Sequence, residues 1–173
     1  MYSYIACAHI ASALLSLVAG ALVLNWPKGT NRHKLTGYWY VGSMLVLNLT
    51  ALAIYRLTGH FGPFHIMAFV SLVTLAAGFL PVLLKRPANK WLELHLNFMA
   101  WSYIGLLMAA ASEVAVRVPG APFWPGVFIG SFFFFAAGWF QLVRHRNRLL
   151  AKHGSAGAQQ AVPADGPASR ARG

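Results

Sequence analysis

The stretch YSYIACAHIASALLSLVAGALVLN, residues 2–25, decides the fold. It contains no Asp, Glu, Lys or Arg. Wound as a helix at about 1.5 Å per residue, a run of this length crosses the roughly 30 Å hydrocarbon core of a bilayer. No basic residue precedes it and the apolar run is too long for a signal-peptide core, so it reads as a span. Next come Pro27-Lys28-Gly29, which break the helix, and Thr30 or Asn31, either of which can cap the next one. The same pattern recurs along the chain. Residues 34–57, 63–84, 91–116 and 123–143 are equally long and apolar, and Pro63, Pro87, Pro119, Pro122 and Pro125 mark the joints. Strands of a membrane barrel would be about ten residues long with polar alternation. The expected architecture is an all-α integral membrane protein, an antiparallel bundle of five transmembrane helices joined by short loops.

Composition agrees. Of 173 residues, 58% are hydrophobic and 10% charged, against about 25% charged in soluble domains. The mean hydropathy is +0.56. Three parts are expected: a four-helix core over residues 1–118, a fifth helix with its basic flank over 119–150, and a tail over 151–173. The tail's small, polar, proline-bearing composition predicts disorder.

The net charge of +11 is a membrane-edge signal and not a nucleic-acid one. All Lys and Arg except Arg56 and Arg117 fall after spans 1, 3 and 5: Lys28, Arg32, Lys34, Lys85, Arg86, Lys90, and the Arg144–Arg172 segment. Positive residues concentrate on the cytoplasmic side, so the N-terminus is expected outside and the C-terminus in the cytoplasm of a bacterial inner membrane. Such cations also suit anionic lipid headgroups. The lone cysteine, Cys7, excludes an internal disulfide and cysteine-based zinc or iron–sulfur sites within the chain.

Four histidines occupy alternating ends of the first four spans: His9, His33, His65 and His95. Antiparallel packing is expected to gather His9 and His65 at the outer end and His33 and His95 at the inner one. Ionisable groups within spans usually face the bundle interior or water. Helical phase puts His9 on a stripe with Ser12, Ser16 and Gly20, where small residues admit a close neighbour or a flat ligand. It aligns His33 with Gly37, Tyr40 and Met44, and His65 with Phe69, Leu72 and Ala76. His95 aligns with Met99, Ser102, Leu106, Ala109 and, about five turns on, Glu113. The outer layer then holds His9, His65, Glu113, Arg56, His60 and Arg117. The inner layer holds His33, His95, Glu93, Asn97, Lys28, Arg32 and Lys34.

These layers admit several chemistries. Paired histidines can ligate b-type haem, His9 with His65 and His33 with His95, with rim cations such as Arg32, Lys34 and Arg56 beside the propionates. The protein would then be a transmembrane oxidoreductase passing electrons between a quinol or other reductant and a redox partner. Alternatively, His9, His65 and Glu113 compose a two-histidine, one-carboxylate site for zinc, copper or iron. A third reading is a cofactor-free subunit of a membrane complex, docking through Phe132–Phe135 of span 5, itself expected to be peripheral. Interhelical hydrogen bonding is the structural alternative for His9, His65 and His95, and a Glu113 ion pair with Arg56 or Arg117 is the simplest structural role for that carboxylate.

The series His9, then Lys28-Gly29-Thr30, Arg32-His33-Lys34, Gly37, Tyr38 and Tyr40, then His65, then His95 and Met99, resembles bacterial membrane proteins of domain-of-unknown-function family 2306. The resemblance covers roughly residues 5–118 and is carried most specifically by the Gly-Thr-x-x-His-Lys-x-x-Gly stretch. Tyr38 stands where many members would have arginine. The resemblance implies a small multi-span membrane protein and no defined activity. In the order and alternation of its histidines alone, the chain is also similar to two-haem transmembrane b-type cytochromes.

Overall fold

The structure, a computed structural model, describes residues 2–58, 62–88, 90–115, 117–120, 122, 124–140 and 143. The side chains of residues 2, 3, 55–58, 63 and 64 lie outside that description. Four long helices follow in order: α1 (Tyr2–Asn25), α2 (Asn31–Thr58), α3 (Pro63–Leu84) and α4 (Trp91–Ala115). All four are long and apolar enough to cross a membrane. A shorter apolar helix, α5 (Trp124–Phe140), follows. The division between the chain's two units falls inside α5, after Phe135. The expected tail, His60, His145, His153 and the basic residues from Arg144 onward lie outside the described residues.

The bounds follow local chemistry. Thr30 caps α2, its hydroxyl accepting the His33 N–H at 3.2 Å. Pro63 opens α3, where a missing N–H costs nothing. Lys85 ends α3 in the left-handed region with φ 52°, and its ammonium rests 4.1 Å from the Trp91 ring centre. Lys28 closes α1 by donating to the orphan carbonyls of Val23 and Leu24, at 3.0 and 2.7 Å. Partial burial holds its pKa below the ordinary lysine value.

Each helix packs on its sequence neighbour, and α1 also meets α4. Among the described residues, α1 and α3 share no Cα approach within 8 Å, and neither do α2 and α4. The two pairs are therefore diagonals of a four-helix bundle. Ile10, Leu14, Val18 and Leu22 point outward from α1, as they would toward lipid. The interior is partly polar, with Ser12, Ser16, Ser43, Asn48, Ser102 and Ser112 all buried. Small polar residues let helices approach and hydrogen-bond where lipid offers no hydrophobic drive. Ser16 donates to Ser43 at 2.8 Å, tying α1 to α2. Tyr40, 1% exposed, meets Ser102 at 3.0 Å, tying α2 to α4. Gly20 supplies the room: a Cβ there would strike the rings of Tyr103 and Tyr40.

The stripes expected on α1 and α2 are the buried ones: Ser12, Ser16 and Gly20, then Tyr40 and Met44. Two stripes differ. On α3 the buried line runs His65, Ala68, Leu75 and Gly78, while Phe69 and Ala76 are exposed. On α4 the stripe holds through Met99, Ser102 and Leu106, then turns to Ser112, leaving Ala109 and Glu113 exposed. The cause is α5. Gly126 and Gly130 bring its backbone against Ala115 and Ala111, and Ser131 meets Ser112 at 3.1 Å. The phenylalanines Phe132 and Phe133 of α5 face outward.

Candidate functional site

Hydrogen bonds place the histidines in two layers. His9 bonds Thr50 near the start of α1 and the end of α2, and His33 bonds Val23 at the opposite end. His95 bonds Gly78 at that same opposite end, in α4 and α3. What each layer can do depends on which ring nitrogen keeps a lone pair.

At the His33 end, both rings are anchored alike. His33 Nδ1 lies 3.2 Å from the Val23 carbonyl, and His95 Nδ1 lies 2.9 Å from the Gly78 carbonyl. A carbonyl only accepts, so Nδ1 carries the proton in each ring, and in the neutral imidazole Nε2 keeps its lone pair. Metal-ligating histidines have this arrangement, with the second nitrogen donating to a fixed acceptor. The two rings lie across the α2–α4 diagonal with centroids 6.5 Å apart and planes at 86°. Two imidazoles sharing one metal at about 2.0–2.1 Å, with ~1.1 Å from nitrogen to ring centre, have centroids about 6.3 Å apart when they bind in line and about 5.1–5.5 Å apart at tetrahedral or trigonal angles, so a shared ion would be held nearly in line or draw the rings together by about 1 Å. An edge-to-face ring pair shows similar spacing; the paired Nδ1 anchors are what single this one out.

Both rings line a half-open cavity of about 130 Å³ to which all four long helices contribute. Gly20 and Val23 of α1, Gly37 and Tyr40 of α2, Phe79 of α3, and Met99 and Tyr103 of α4 complete its wall. Lys28 and Lys34 add positive charge to it. Arg32 is instead exposed, 5.5 Å from the Trp26 ring centre. Glu93 is exposed in the first turn of α4.

The opposite layer differs. His9 Nδ1 pairs with the Thr50 hydroxyl at 3.0 Å, and the Ser12 hydroxyl donates to the His9 carbonyl at 2.9 Å. His65 is buried, and its Nδ1 accepts the Gly62 N–H at 3.1 Å, capping α3. Neutral His65 therefore carries its proton on Nε2, the reverse of a ligand poised at that atom. His9 and His65 stand on diagonal helices, and Glu113 is spent on an exposed pair with Arg117. Among the described residues no three His, Cys, Asp or Glu side chains come together as a metal site. The expected set of His9, His65 and Glu113 is thus not gathered: each member is committed to a partner within its own neighbourhood. The side chain of Arg56 lies outside the described residues.

The anchoring carbonyls of Val23 and Gly78, and the space left by Gly78, were not singled out in the sequence, whereas Gly20 was. A Cβ on Gly78 would stand 2.9 Å from the Met99 sulfur and 3.0 Å from the Met99 nitrogen. Nothing in sequence spacing marks these positions beyond glycine at helical phase.

A bundle of membrane-crossing helices with a histidine pair fixed across its diagonal defines a small multi-span membrane protein with a histidine-bearing cavity between its helices. The chain belongs to the family described as predicted membrane protein (DUF2306), which matches residues 6–124. No curated protein and no solved structure matches it.

Proposed function

We propose that the protein holds one transition-metal centre between His33 and His95. The observation that carries this reading is the perpendicular pair itself, with both Nδ1 protons held on backbone carbonyls. Iron, copper and zinc all accept imidazole nitrogen. The clustered cations Lys28, Lys34, Lys85, Arg86 and Lys90 favour placing this end at the cytoplasmic face of a bacterial inner membrane.

A b-type haem would use the same two imidazoles as axial ligands, and would supply one-electron chemistry when bound. Lys28 and Lys34 are suited to its propionates. The cavity's volume of about 130 Å³ does not fit the macrocycle, since pockets for ligands of that size run to about 300–1,000 Å³. The donors match a haem and the cavity's volume does not, so a bare ion is the better occupant. The two-haem arrangement has even less support, because His65 spends Nδ1 as an acceptor.

The test is metal analysis of purified protein with a pyridine haemochrome assay. About one metal per chain, absent from folded His33→Ala and His95→Ala proteins, supports the centre. Wild-type protein that takes up neither metal nor haem removes it.

A further inference from the structure

We infer that the His33–His95 cavity is a site for a soft monovalent metal ion, copper(I), with the Met99 thioether as third donor. This rests on the bis-histidine reading above and goes on to name the metal.

The donor set points there first. Met99 lies one turn beyond His95 on α4, so the two side chains share a face. Both line the cavity with His33. Gly78 organises this wall. Its carbonyl holds the His95 ring, and its missing side chain leaves the Met99 sulfur its place. The cavity is thus lined by two imidazole-bearing residues and one thioether-bearing residue. Imidazole serves several metals, whereas thioether sulfur favours soft ions, copper(I) among them.

Charge points the same way. Among the residues lining the cavity, none is Asp or Glu, and two are lysines. The whole chain has three acids. Glu93 is exposed, Glu113 is paired with Arg117 far along α4, and Asp165 lies outside the described residues. The cost of taking an ion out of water rises with the square of its charge, so a dication costs about four times as much as a monocation. Neutral donors beside lysines leave a dication's charge unbalanced. A monocation, content with two or three neutral ligands, suits the site.

The bland alternative makes Met99 a packing residue, since it lies against the core cluster of Tyr40, Met44 and Leu106. Met99→Leu separates the two roles because it keeps volume and apolar character. The full-length protein in detergent is titrated anaerobically with copper(I) against a chromophoric copper(I) chelator, and separately with zinc(II). The expected result is one copper(I) per chain, bound in preference to zinc(II). Met99→Leu should melt like wild type yet bind copper(I) at least about tenfold more weakly, and should lose sulfur scattering in the copper X-ray absorption spectrum. Unchanged copper affinity and spectrum in Met99→Leu overturns the thioether donor, and preference for zinc(II) overturns the copper assignment; either result leaves the histidine centre standing. Wild-type protein that binds neither ion overturns both.

Discussion

His33 and His95 sit on helices whose Cα traces come no closer than 8 Å, yet their rings meet with centroids 6.5 Å apart. Each ring is steered by a third helix: Val23 of α1 turns His33, and Gly78 of α3 turns His95. All four long helices therefore fix the pair, and disturbing any helix–helix contact at this end should disturb the site.

Gly78 is the most exposed to such disturbance. Gly78→Ala should lower stability by about 1–3 kcal/mol through overpacking, because the new Cβ would meet both the Met99 sulfur and its backbone nitrogen. Gly42 is the control: nothing lies within 4 Å of a Cβ there. Gly42→Ala should gain about 0.5–1 kcal/mol from helix propensity. Unfolding in mixed detergent micelles measures both, and equal effects would contradict the packing described.

His65 should prove a stability residue. It is 7% exposed and caps α3 through Gly62. His65→Ala removes the cap and opens a void, at a cost of about 1–3 kcal/mol. Bound metal per chain should stay at the wild-type value. A fall in metal content in folded His65→Ala protein would return the second layer to consideration as a ligand site.

Ser16 tests the close approach of α1 and α2. Its side chain is fully buried and bonds Ser43 at 2.8 Å. Ser16→Ala should cost only about 0.6 kcal/mol, the usual worth of an interhelical hydrogen bond in a bilayer. Ser16→Leu should cost about 1–3 kcal/mol by forcing the helices apart. Similar losses in the two variants would mean that the hydrogen bond, and not the spacing, holds this seam.

The limits of α1 and α3 were legible because proline, glycine and capping residues bound an uninterrupted apolar run. Residues 2–25 and 63–84 are the helices observed. The stripes of α1 and α2 were legible because Ser12, Ser16, Gly20 and Gly37 are small residues at one helical phase. On α3 most residues are apolar, and the polar Ser71 and Thr74 are only half-buried, so phase had little to mark it beyond His65, and Phe69 was placed inward when it is 63% exposed. Far along α4, packing against α5 set the buried face, and that depends on a helix pair that spacing does not reveal. The histidines were found at once, but their tautomers were not. Whether Nδ1 donates to Gly78 or accepts from Gly62 is decided by neighbours brought in by the fold.

The most direct test of the metal centre is metal content per chain, with a haemochrome count, for wild type and folded His33→Ala, His95→Ala and His9→Ala proteins. The account predicts about one metal without porphyrin in wild type and His9→Ala, and none in the other two. Stoichiometric haem, or metal retained without both His33 and His95, would contradict it.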